Sequence, residues 1–83
     1  MDPHEQLHKW LDENALAHRF MPGWADFVVI RGERVALVKL GNARFLLQEQ
    51  SAALDGLKQQ GTPVLVTDSV ADAIAFLREK LLS

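Results

Sequence analysis

The sequence has 83 residues, which suits one domain with a modest hydrophobic core and leaves no room for a second. Hydrophobic residues make up 48% of the chain and charged residues 24%, as in globular proteins, and the formal net charge of -2 argues against a strongly basic nucleic-acid-binding protein. Disulfides and thiolate zinc sites are excluded because there is no cysteine. The first residues do not form a signal peptide and no apolar run is long enough to span a membrane, so we expect a cytoplasmic protein without a membrane partner.

The first predicted element is a helix over residues 2–14. Asp2 is a capping residue, Pro3 suits the first helical position, and Glu5 completes a capping box. The apolar residues that recur at helical spacing are Leu7, Trp10 and Leu11.

Three short strands are predicted next, over residues 16–20, 26–30 and 34–40. Met21-Pro22-Gly23 ends the first strand. The second and third are rich in valine, isoleucine and leucine, and Gly32-Glu33 between them suits a two-residue hairpin turn. These two strands are therefore expected to pair in an antiparallel manner.

The rest of the chain predicts a helix over residues 47–60, a strand over 63–66 and a final helix. Gly61 is a suitable C-terminal stop for the first of these helices, and Ser69 with Asp72 forms a capping box for the last. The strand is nearly all apolar, which is typical of a strand buried on both faces. The complete order predicts an α/β fold with helices on both faces of a mixed four-stranded sheet, in which the last strand lies parallel to a neighbour.

The predicted hairpin brings an acid and a lysine together. With the turn at Gly32-Glu33, Arg31 pairs with Arg34 and Asp26 falls opposite Lys39. Directly opposed residues have Cβ atoms about 5 Å apart, so these two side chains should meet on one face at the open end of the hairpin. One interpretation is a cross-strand ion pair at a sheet end, and the other is a functional site.

The surroundings of this pair resemble the VRR-NUC branch of the PD-(D/E)XK nucleases. That family carries a Gly-x-Pro-Asp segment, then Glu-x-Lys, then a helix with a glutamine and a leucine seven residues later, then a glycine and an apolar strand. The corresponding residues here are Gly23-Trp24-Ala25-Asp26, Leu37-Val38-Lys39, Gln50, Leu57 and Gly61, preceded by Glu5 and Trp10-Leu11. The resemblance extends from about Glu5 to Leu77.

The resemblance implies a restriction-endonuclease-like α-β-β-β-α-β core with a C-terminal helix in a single domain, residues 1–83. It also implies hydrolysis of phosphodiester bonds in structured or branched DNA, with Mg²⁺ or Mn²⁺, by a homodimer. Asp26 would then bind the metal, Lys39 would position the attacking water, and Gln50 would support it. From its place on an apolar stripe, Gln50 equally suits a hydrogen bond to a backbone carbonyl.

Two residues depart from the family pattern. Ala25 replaces a proline that shapes a turn, which is a mild change, whereas Leu37 replaces the glutamate of Glu-x-Lys and removes a metal ligand. Glu5 and Glu49 are the candidate substitutes, although Glu5 also suits the capping box and Glu49 suits the first turn of a helix. The sequence therefore leaves two hypotheses, an active nuclease and an inactive module of the same fold that binds DNA or protein.

Other polar residues suggest less. His4 and His8 have the i, i+4 spacing that can hold a metal, but no third ligand is evident, and exposed histidines on a polar helix face are more common. His18 on the first strand needs no function. Trp24 suits a core or dimer contact better than base stacking. The candidates for a local basic rim are Arg31, Arg34 and Arg44.

Overall fold

The computed structural model describes residues 2–21, 25–41 and 48–83, with the side chains of residues 20, 21, 25 and 48–50 outside that description. The elements, in chain order, are α1 (Pro3–Glu13), β1 (Ala17–Met21), β2 (Ala25–Arg31), β3 (Arg34–Leu40), α2 (Gln48–Gln59), β4 (Val64–Thr67), α3 (Val70–Leu77) and a π-helical turn (Arg78–Leu82). The predicted order of helices and strands is confirmed. The hairpin strands lie within one residue of their predicted bounds.

The strands form one mixed sheet in the order β1-β2-β3-β4. The first three strands are antiparallel neighbours, and the hairpin has the predicted register, with Arg31 opposite Arg34. Gly32 adopts a φ of 61°, the left-handed conformation that a tight hairpin turn requires. β4 follows the α2 crossover and pairs with β3 in parallel, as predicted.

Two apolar layers lie on opposite faces of the sheet. Alternate residues of β3 point to opposite faces, so Val38 and Leu40 face one layer while Leu37 faces the other. The first layer contains buried residues of α1 and α3, and the second contains Leu54 of α2. The prediction that helices cover both faces is therefore confirmed. The chain is a mixed α/β protein with a four-stranded sheet.

The connection between α1 and β1 is a tight helix C-terminus. The Leu16 N–H donates to the Leu11 carbonyl at 3.0 Å and the Ala15 N–H to the Asp12 carbonyl at 3.1 Å, the two hydrogen bonds of a Schellman motif. Ala15 takes the left-handed position with a φ of 53°, where glycine or asparagine is usual. This turn folds β1 directly back toward the side of α1.

One prediction about β4 is wrong. Residues 63–66 were expected to be buried on both faces, but the strand spans Val64–Thr67, and only Val64 is buried. Leu65 and Val66 are half-buried. The reason is the strand order, because β4 is the last of the described strands and pairs with β3 on one side, with no described strand on the other. The predictions for Pro22-Gly23, Trp24, Arg44 and Leu47 lie outside the described residues.

Candidate functional site

The hairpin register brings Asp26 and Lys39 together. The ladder between β2 and β3 ends at the pair Phe27 and Val38, and the next residue outward on each strand is Asp26 and Lys39. The Lys39 Nζ donates a hydrogen bond to Asp26 Oδ1 at 3.0 Å. The contact that the two-residue turn predicted is therefore present.

The Asp26 carboxylate is buried and accepts three hydrogen bonds. The residue is 3% exposed. Besides the bond from Lys39, Asp26 Oδ2 accepts the backbone N–H of Leu40 at 2.9 Å and lies 2.9 Å from His4 Nε2. A carboxylate oxygen only accepts, so His4 donates from Nε2. We call Asp26 and its three donors, Lys39, His4 and the Leu40 N–H, the Asp26 cluster. The three hydrogen bonds compensate the free-energy cost of burying the carboxylate charge.

The N-terminus of α1 brings His4 to the cluster. Asp2 caps the helix by accepting the Glu5 N–H at 2.9 Å, and this hydrogen bond holds the pKa of Asp2 below its usual value. His4 lies in the first turn, where its ring is 6.1 Å from the ring of Phe27. This contact is not predictable from the sequence, where the spacing of His4 and His8 is typical of exposed histidines on a polar helix face.

Leu37 occupies the position where the resemblance places a glutamate. It shares a strand face with Lys39, is 4% exposed, and packs in a cluster with Leu54 and Val64. The position is therefore filled by the apolar layer under α2. It supplies no oxygen ligand.

The described residues around Asp26 do not fit Mg²⁺. That ion prefers oxygen ligands in octahedral geometry, usually with carboxylates and water. Here the carboxylate oxygens are bonded to an ammonium, an imidazole and an amide N–H, which are all donors. A cation at this carboxylate would have to displace Lys39 and His4 from positions at hydrogen-bond distance.

The other predicted site residues are not brought into this cluster by any described contact. Glu5 is exposed and lines a shallow depression with His4, His8 and Phe27. Among the described residues, Asp26 belongs to no group of three or more histidine, aspartate and glutamate side chains with ligand atoms close together. The metal role of Glu5 stays a prediction.

Glu49 and Gln50 lie in the first turn of α2, which begins at Gln48. Their side chains lie outside the described part of the structure. The metal role predicted for Glu49 and the supporting role predicted for Gln50 therefore stay predictions.

Comparisons with protein-family models, with curated proteins and with solved structures gave no match. The likeness to the VRR-NUC nucleases therefore rests on the motif residues alone. In the described part of the chain, no helix combines the length and the apolar character needed to cross a membrane.

Proposed function

We propose that this chain is a catalytically inactive binding module with a restriction-endonuclease-like fold. Its main support is the state of the Asp26 carboxylate, which is 3% exposed and accepts hydrogen bonds from three donors. The element order and the shared face of Asp26 and Lys39 support a nuclease-like fold. Leu37, buried among apolar residues, supports the loss of the chemistry.

The two hairpin arginines and the net charge favour a protein partner over a nucleic acid. Arg31 donates to the Leu81 carbonyl at 3.0 Å, and Arg34 donates to the Ser83 carbonyl at 2.7 Å. Both arginines of the hairpin thus stabilise the C-terminal turn. Phosphate binding depends on clustered basic side chains that can release counterions, and the formal net charge of the chain is -2.

An apolar row on the sheet supports a second copy of the chain as that partner. Ala17 of β1 pairs with Ile30 of β2, and Ile30 pairs with Val35 of β3, so the three side chains lie side by side on one face. Ile30 is 43% exposed and Val35 37% exposed. Two copies that share this face would bury the row in a symmetric contact, the commonest form of homodimer.

Light scattering coupled to gel filtration tests the homodimer. We expect the wild-type chain to elute as a dimer that dissociates on dilution, and Ile30→Lys to elute as a monomer because it places a charge in the row. Ala75→Lys, on the exposed side of α3, adds the same charge elsewhere and should leave the dimer intact. A wild-type chain that is monomeric at every concentration, or a dimer unaffected by Ile30→Lys, would exclude this interface.

A cleavage assay on forked and four-way DNA with Mg²⁺ or Mn²⁺ tests the loss of chemistry. We expect no cleavage above the level of Asp26→Asn. The alternative function is a metal-dependent nuclease acting on such DNA. It is supported by the contact between Asp26 and Lys39, which lie opposite each other on β2 and β3. Cleavage by the wild-type chain that disappears in Asp26→Asn would establish that alternative, whereas cleavage that survives the substitution would come from a contaminant.

A further inference from the structure

A second polar cluster lies where α1 meets β1, and it contains His8, Asp12 and His18. His8 Nδ1 lies 3.0 Å from His18 Nε2, and His8 Nε2 lies 3.1 Å from Asp12 Oδ2. His18 Nε2 also lies 3.8 Å from Asp12 Oδ1. His8 and Asp12 are one helical turn apart on α1, and His18 reaches them from β1 because the turn at Ala15 folds the strand back.

The ring of His18 is fixed by its surroundings. Its side chain is 10% exposed, and the ring packs edge-to-face on His8 with centroids 4.8 Å apart. His18 Nδ1 lies 2.8 Å from the Leu16 carbonyl oxygen, which can only accept, so Nδ1 carries the proton and donates. In the neutral ring, Nε2 therefore presents its lone pair to His8 and Asp12. A backbone carbonyl that orients a histidine in this way is typical of a metal ligand.

The donors and acceptors of the cluster do not balance without a cation. His8 faces the His18 lone pair with one ring nitrogen and the Asp12 carboxylate with the other. A neutral His8 carries a single ring proton, so it can donate to one of these groups while two lone pairs oppose each other at the other contact. A metal ion or an additional proton on His8 removes the conflict.

The spacing of these atoms suits a metal ion. Metal–nitrogen bonds of about 2.0–2.1 Å in a tetrahedral site separate neighbouring ligand atoms by about 3.3 Å. His18 Nε2 lies 3.0 Å from His8 Nδ1 and 3.8 Å from Asp12 Oδ1, on either side of that value, and one ligand atom from each of the three residues lies within 4.8 Å of the other two. His8 and Asp12 have side chains that are 58% and 60% exposed, so water can complete the coordination from the solvent side.

We infer that His8, Asp12 and His18 form a binding site for a divalent transition metal such as Zn²⁺ or Co²⁺. Two imidazole nitrogens and one carboxylate oxygen suit these ions, whereas Mg²⁺ and Ca²⁺ prefer oxygen ligands throughout. The site is separate from the Asp26 cluster and independent of the function proposed above. It combines His8 with His18, which are not related by helical spacing, and it does not include His4.

Calorimetric titration of the full chain with Zn²⁺, purified without a histidine tag, tests the site. We expect saturable binding of one ion per chain, a rise in the thermal midpoint with Zn²⁺, and visible absorption from bound Co²⁺ in a low-coordinate site. His8→Gln and Asp12→Asn should each weaken Zn²⁺ binding at least tenfold. Both positions are exposed on α1, so circular dichroism should show a folded chain in each variant.

Glu13→Gln is the matched control, because Glu13 is an exposed acid of the same helix that pairs with Lys9 at 3.9 Å rather than with this cluster. It should leave the Zn²⁺ affinity unchanged. Absence of saturable binding by the folded wild-type chain would overturn the inference. Binding that both ligand variants retain would place the ion elsewhere, and would overturn it too.

Discussion

The substitution Asp26→Asn distinguishes two roles for Asp26, a structural ion cluster and a metal-binding carboxylate. The two roles predict opposite changes in the free energy of unfolding of the metal-free protein. Asparagine keeps the shape of the side chain and removes its charge. Its amide oxygen can still accept the Leu40 N–H, but its NH₂ group then faces Lys39, and two donors oppose each other. We therefore expect Asp26→Asn to destabilise the metal-free protein.

The size of the loss follows from the hydrogen bonds of the carboxylate. A hydrogen bond to a charged group contributes about 1.5–3 kcal/mol. The side chains of Lys39 and His4 are 22% and 43% exposed and regain water when the bond is lost, so the total is discounted. We expect a decrease of about 2 kcal/mol in the free energy of unfolding, from a total of about 4–12 kcal/mol for a chain of this length.

Thermal and urea unfolding, without added metal and in the presence of a chelator, measure this change. A loss of this size corresponds to a decrease of roughly 8–16 °C in the thermal midpoint of a small domain. Asp55→Asn removes the same charge from an exposed position on α2 and should change the free energy of unfolding by less than about 0.5 kcal/mol. An unchanged or higher midpoint in Asp26→Asn would refute the reasoning, because a site kept for a cation is destabilised by its own charge when empty.

Three further substitutions test the packing and the turns. Leu37→Glu buries a carboxylate at a position that is 4% exposed, so it should lower the free energy of unfolding by at least about 3 kcal/mol, measured in urea. A loss under about 1 kcal/mol would show that this position can still accommodate an acid. Ala15→Gly relieves a left-handed φ of 53° and should stabilise the chain by about 0.5–1 kcal/mol after the entropy of glycine is subtracted; a lower midpoint would contradict this. The pKa of Asp2 is lowered in the folded chain, so its ionised cap contributes to stability at pH values above the usual aspartate pKa. This contribution is lost as the pH falls through the folded-state pKa. The difference in midpoint between the wild-type chain and Asp2→Asn should therefore narrow as the pH falls from about 5 to about 2, and a constant difference would exclude a role for the charge.

Local rules predicted the part of the site that lies within the hairpin. A two-residue turn fixes the register of the strands that it joins, so Gly32-Glu33 was sufficient to place Asp26 opposite Lys39. The cap of α1 was predictable for the same reason, since Asp2 and Glu5 are three residues apart. In each case the interacting groups are related by a geometry that the chain itself sets.

Contacts between elements were not predictable in this way. His4 meets Asp26 because α1 packs on the sheet through Leu7 and Leu11, and the sequence does not state where along the sheet a helix will lie. His18 approaches His8 because Ala15 adopts a left-handed conformation, and alanine carries no signal for it as glycine or asparagine would. The exposure of β4 depended on strand order, which also follows from packing.

The Asp26 cluster contributes to the position of α1 along its own axis. Leu7 and Leu11 are one turn apart and both fully buried, so a slide of about 5.4 Å along the helix would move one leucine into the place of the other and keep an apolar stripe on the sheet. A slide that moved Leu7 into the place of Leu11 would move His4 to the place of His8 and leave no histidine of α1 opposite Asp26. The buried carboxylate of Asp26 therefore opposes a slide in that direction, and its bonds to His4 and Lys39 compete with the binding of a metal for catalysis.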